Sequence, residues 1–149
     1  MYFDDFTPGD TFTTGTRTLT EAEIIDFASQ WDRQYFHLDA EAAKDSIYGG
    51  LIASGFHTLL ITFDLIVEAA VWTGASRGSP GMENVKWIKP VRPGDTLQVE
   101  FKVVEMTPSR KKADQGYILW DHTTRNQNGE TVLTFRSTGI MARQQAQET

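Results

Sequence analysis

The stretch LIASGFHTLLITFDLIVEAAVWTG, residues 51–74, limits what this chain can fold into more than any other segment. Phe56, Leu59, Leu60, Phe63, Val67 and Ala70 recur at helical spacing and fall on one face. Ile61, Leu65 and Ile66 carry apolar surface further round. A helix apolar on most sides is a buried one, so other elements must wrap it. Ser54 suits an N-cap and Gly74 a stop. Asp64 and Glu68 interrupt the run, which is too short and too charged to span a bilayer.

The second half supplies the wrapping. In TLQVEFKVV, Leu97, Val99, Phe101 and Val103 alternate with Gln98, Glu100 and Lys102, the pattern of a strand with one buried face. ENVKWIKPV before it and QGYILWDHTTRN after it read as strands. Asn128-Gly129 is a two-residue hairpin signal leading into ETVLTFRSTGIMA. Upstream, PGDTFTTGTRTLT reads as a turn and a Thr-rich strand. Thr20 and Glu23 have capping-box spacing, with Leu19 and Ile24 placed as a hydrophobic staple, for a helix to about Ser29. WDRQYFHLD follows as a loop, and Asp39 can cap a short helix, AEAAKD. One strand, helices, then four antiparallel strands predict an α+β fold: a five-stranded antiparallel sheet curled round a long central helix.

At 149 residues one domain, 1–149, is expected, with a loose polar tail from about 143. A net charge of −6 without a basic stripe argues against duplex nucleic acid as a partner. The absence of cysteine removes disulfide and thiolate chemistry and fits a reducing compartment. The opening residues carry no basic and apolar leader pattern, so a cytoplasmic location is expected and no membrane partner. No G-x-S-x-G, P-loop or dinucleotide fingerprint occurs.

WDRQYFHLD, residues 31–39, is the chemically dense segment. Asp32 and His37 offer an acid and a base among Trp31, Tyr35 and Phe36. A surface loop has no use for the aromatics, and a plain core segment none for the titratable pair. Extended, the five-residue step from Asp32 to His37 reaches roughly 17 Å, so the segment must fold back to join them. Apolar walls of Trp31, Tyr35 and Phe36 would then shift both pKa values toward neutrality. Read singly, Asp32 could solvate a loop and His37 could be structural. Asp39 is first a helix cap, His57 is packing, and His122 is a surface residue of its strand. Asp32, His37 and Asp39 do not make a convincing metal set, so no metal is expected.

FASQWDRQYFH, LDAEAAKDS, GGLIASGFHTL and KPVRPGDTL, in this order and spacing, resemble the MaoC-like group of hotdog proteins, the (R)-specific enoyl-CoA hydratases and dehydratases. The resemblance spans roughly residues 5–142. That group's loop pattern is G-D-x-N-P-x-H, followed by I-x-H-G-[MF] at the central helix. Asp32, His37 and Gly55 match. Trp31 replaces the Gly, Gln34 the Asn, Tyr35 the Pro and Ser54 the His.

The resemblance implies addition of water to, or its removal from, an acyl-CoA thioester, with no cofactor beyond the coenzyme A of the substrate. A carboxylate and an imidazole can hold one water and pass its protons. Asp32 is the candidate base and His37 its partner. The Gly55 N–H, in the first turn of the long helix, is the candidate oxyanion donor. Ser54 is mainly an N-cap and secondarily a substrate contact. A hotdog thioesterase and an acyl-CoA-binding protein without turnover are the alternatives; product analysis separates the first, binding without turnover the second. The basic run SRKK, 109–112, reads as a solvated hairpin tip or a holder of coenzyme A phosphates, with Arg77, Lys86, Lys89 and Arg92 as further candidates. Hotdog relatives suggest a homodimer or a multiple of it.

Overall fold

The computed structural model describes residues 1–144. The expectation of a loose tail therefore lies outside the described residues from 145 onward. The elements are β1 (Thr11–Thr18), α1 (Glu21–Trp31), α2 (Tyr35–Leu38), α3 (Ala40–Ala43), α4 (Gly55–Glu68), β2 (Gly81–Trp87), β3 (Thr96–Pro108), β4 (Gln115–Arg125) and β5 (Thr131–Ala142), with a 3-10 turn over Phe3–Asp5. All strand pairs are antiparallel, in the order β1-β3-β4-β5-β2. This is the expected α+β architecture, a five-stranded sheet with one long helix. Among the described residues no helix is long and apolar enough to cross a membrane.

Local signals explain much of it. Thr20 Oγ1 accepts from the Glu23 N–H while the Glu23 carboxylate accepts from the Thr20 N–H, both at 3.2 Å, so α1 starts with a reciprocal capping box. The staple residues Leu19 and Ile24 are fully buried. On β3, Leu97, Val99, Phe101 and Val103 all face the core. Trp120 of β4 sits edge-on to Phe6 at 5.3 Å and tilted against Phe101 at 5.5 Å, forming an aromatic centre under the sheet.

The long helix departs from expectation in which face it buries. α4 packs on β1 and β3 through Thr58, Ile61, Thr62, Leu65 and Ile66. Phe56, Leu60, Phe63 and Val67 of the expected core face are exposed, Phe63 by 59 %. Both arcs of this helix are apolar, so periodicity alone could not say which meets the sheet. Of the inward threonines, Thr62 is tolerated because its Oγ1 and Thr124 Oγ1 hydrogen-bond each other at 2.7 Å. α4 also stops before Gly74: its C-cap is Ala69, and Ala70 takes a left-handed φ of 58°.

Three further expectations are corrected. The WDRQYFHLD segment is largely helical: α1 runs through Trp31, and Tyr35–Leu38 forms α2. The hairpin at Asn128-Gly129 is longer than two residues, because the Asn126 side-chain oxygen accepts from the N–H groups of Asn128 and Glu130 and the Gly129 N–H bonds to Asn126 O. His122 is not on the surface. It is 3 % exposed, stacked on Phe135 at 4.3 Å, with Nε2 2.7 Å from Ser137 Oγ.

Candidate active site

The chain folds back between Asp32 and His37 through two tight hydrogen bonds. Asp32 is the C-cap of α1, its N–H bonded to Ala28 O at 3.0 Å. The Gln34 N–H returns to Asp32 O at 2.9 Å, and the His37 N–H to Gln34 O at 3.0 Å. The turn of α2 then carries the imidazole back to the carboxylate, with His37 Nε2 3.2 Å from Asp32 Oδ2. Behind it, His37 Nδ1 lies 2.7 Å from the Ile52 carbonyl oxygen. A carbonyl only accepts, so Nδ1 carries the hydrogen. Nε2 is thereby the nitrogen free to gain or lose a proton, and it faces the carboxylate.

Two more donors hold Asp32. Ser54 Oγ donates to Oδ2 and Gln34 Nε2 to Oδ1, both at 2.7 Å. Burial pushes the Asp32 carboxyl up, but the hydrogen bonds from Gln34 and Ser54 and the neighbouring His37 outweigh it and hold the carboxyl below its ordinary value. The expected shift of this carboxyl toward neutrality does not occur, because these partners outweigh burial, and two of the three expected aromatic walls are also not in place. Trp31 is 74 % exposed at the end of α1, and Tyr35 is 52 % exposed. Of the three aromatics only Phe36 turns inward, its ring edge-on to His37 at 4.6 Å.

Asp32, His37, Phe36, Gly55, Thr58 and Trp87 line one cavity of about 510 Å³, within the usual size of small-molecule sites. Gly55 is the first residue of α4, and first-turn N–H groups have no acceptor inside their own helix. Ser54 stands at the N-cap position, but its hydroxyl is turned to Asp32 rather than to the helix. The cavity thus joins a carboxylate, an imidazole and a helix start. That combination can take a proton from a water, deliver one to carbon, and stabilise an oxyanion.

The remaining sequence candidates fall elsewhere. Asp39 caps α3, accepting from Glu41 and Ala42 N–H at 3.0 and 3.1 Å. His57 is buried and stacked on Phe27 at 4.5 Å. SRKK forms the β3–β4 turn, at the end of β3 away from the Val91 wall of the cavity. Arg77 pairs with Asp114 at 3.0 Å, and Lys86 is exposed on β2. Lys89 borders the cavity and pairs with Glu130, while the Arg92 guanidinium donates to Tyr48 O. Sequence reading missed two contributors. Gln34 was seen only as a replacement, although its position two residues past Asp32 across a turn is a signal. Trp87 was seen only as part of a strand.

A model of the MaoC like domain matches residues 5–123. Protein MaoC of Klebsiella aerogenes is 38 % identical over 121 residues, which are 80 % of this chain but 36 % of that protein, so the chain spans about a third of its length. The crystal structure of a MaoC-like dehydratase from Rhodospirillum rubrum superposes with a TM-score of 0.91 at 36 % identity, covering 98 % of this chain and 99 % of that one. The unliganded (R)-hydratase PhaJ1 of Pseudomonas aeruginosa superposes with a TM-score of 0.71 at 25 % identity, covering 97 % and 86 %.

Proposed function

Because the chain belongs to the MaoC-like domain family, a hotdog-fold family that includes hydratases and dehydratases, we propose that it hydrates 2-enoyl thioesters, or dehydrates 3-hydroxyacyl thioesters, with coenzyme A as the carrier. The observation that carries this reading is the 3.2 Å approach of His37 Nε2 to Asp32 Oδ2 beside the start of α4.

In the hydration direction the Asp32 carboxylate takes a proton from water as the water oxygen bonds to the β-carbon. The electron pair of the double bond moves onto the thioester oxygen, which the Gly55 N–H receives. The enolate collapses by taking a proton at the α-carbon from the His37 imidazolium. Asp32 then passes its proton to His37 Nε2, and the pair is restored. Dehydration reverses each step. Ser54 and Gln34 keep Asp32 aimed and ionised. Phe36 forms the apolar wall beside the imidazole. The reading includes a homodimer, in which a second copy covers the exposed apolar side of α4.

The test is loss of the conjugated enoyl absorbance of crotonyl-CoA with purified protein, beside Asp32→Asn and His37→Ala. Each variant is expected to lose about 100-fold or more in turnover while keeping its circular dichroism spectrum. Near-full turnover by either variant removes that residue from the mechanism. Release of free thiol in place of 3-hydroxyacyl-CoA would assign a thioesterase instead.

A further inference from the structure

We propose that Trp87 is a positioning residue for the oxyanion end of this site, holding the first turn of α4 through Gly55; the proposal rests on the hydratase reading above. Trp87 is the last residue of β2, paired with Leu133 of β5. Its indole Nε1–H donates to the Gly55 carbonyl oxygen at 2.8 Å. The ring also lies directly on the Gly55 backbone: a Cβ at position 55 would sit 2.5 Å from indole Cε2 and Nε1, closer than any real contact. Phe56, the next residue, packs edge to face with Trp87, ring centroids 6.0 Å apart.

Glycine at 55 therefore answers to the indole and not to a left-handed backbone, since it begins an ordinary helix. The Gly55 carbonyl and the Phe56 N–H belong to one peptide group. A donor on that carbonyl pins the plane of the group, which joins at the Gly55 Cα the preceding peptide that carries the Gly55 N–H, and so restrains the first turn that aims this N–H. The indole closes one side of Gly55, so a thioester oxygen reaches that N–H from the cavity that Asp32 and His37 share. Trp87 makes no proton transfer; it sets where the oxyanion donor points.

Trp87→Phe keeps a ring and removes the N–H, while Trp87→Ala removes both. Hydration of crotonyl-CoA by Trp87→Phe should fall about tenfold in kcat, with KM little changed. Its pH profile should overlay that of the wild type, because the Asp32–His37 pair is untouched. Gly55→Ala should lower Tm by about 5 °C or more in the wild-type background and by much less beside Trp87→Ala, where the clash is gone. An active wild type with unchanged kcat in Trp87→Phe overturns the positioning role. Equal destabilisation by Gly55→Ala in both backgrounds overturns the contact. A wild type without turnover of any 2-enoyl thioester overturns the reading on which the role rests, and the role with it.

Discussion

Ser54 Oγ donates to Asp32 Oδ2 at 2.7 Å, tying the residue before α4 to the C-cap of α1. The bond favours the ionised carboxylate. Removing it in Ser54→Ala should raise the Asp32 pKa and move the acid limb of the kcat/KM profile to higher pH. The bond contributes to the low carboxyl as a hydrogen bond to a charged acceptor, a kind worth about 1.5–3 kcal/mol. Ser54→Thr should restore the limb if the hydroxyl is the cause. A pH–rate profile that does not move in Ser54→Ala would detach Ser54 from the titration of Asp32.

The pair Thr62–Thr124 gives a prediction about stability. Both side chains are fully buried and bond each other at 2.7 Å between α4 and β4. Thr62→Val leaves the Thr124 hydroxyl buried without its partner, which should cost about 1–3 kcal/mol. Thr62→Val with Thr124→Val removes both polar groups and keeps the shapes, so the double variant should be more stable than either single one. Denaturant midpoints at constant m-value measure this. Additive losses would show that the hydroxyls do not act as a pair.

Burial lowers the pKa of His122 from 6.5 to about 4, against the opposing charge of Asp121. Between those values the unfolded chain binds a proton that the folded chain does not. Stability from this group is therefore complete above pH 6.5 and falls with pH toward 4, by roughly 3 kcal/mol in all. His122→Gln should flatten that part of the stability profile while keeping a polar partner for Ser137. Unfolding midpoints at pH 7, 5.5 and 4.5 decide it: an unchanged slope in the variant would assign the acid sensitivity to other groups.

The elements legible in the sequence were those set by neighbours along the chain. The capping box at Thr20 and Glu23 needs only a three-residue spacing, and β3 needs only alternation. His122 was misread as a surface residue although the signal against that was present. It shares a period of two with Ile118, Trp120 and Thr124, all buried on one face of β4, and that pattern outweighs the usual preference of histidine for the surface. The Asp32–His37 approach followed from the pattern WDRQYFH only by resemblance, because the fold-back depends on backbone bonds at Gln34. The Trp87–Gly55 contact spans thirty-two residues and two elements, and nothing local announces it.

The exposed side of α4 yields the last prediction. Phe56, Leu60, Phe63 and Val67 lie along it, and Leu60, Phe63 and Val67 border a second cavity of about 510 Å³ with Met82 and Phe135. Contiguous apolar surface of this kind is rare on a chain that stays alone in water, and β2 beside it is an edge strand with unpaired backbone groups. A second copy covering this side would gain from each large side chain buried, about 1.5–3 kcal/mol apiece. Phe63→Asp places a charge at the middle of the stripe without touching the buried face of the helix. Light scattering after size exclusion should show a dimer or larger assembly for the wild type and a shift toward monomer for Phe63→Asp, with the helical circular dichroism signal kept. A wild-type monomer at micromolar concentration would remove self-association from the reading. An unchanged assembly in Phe63→Asp would move the interface to another face.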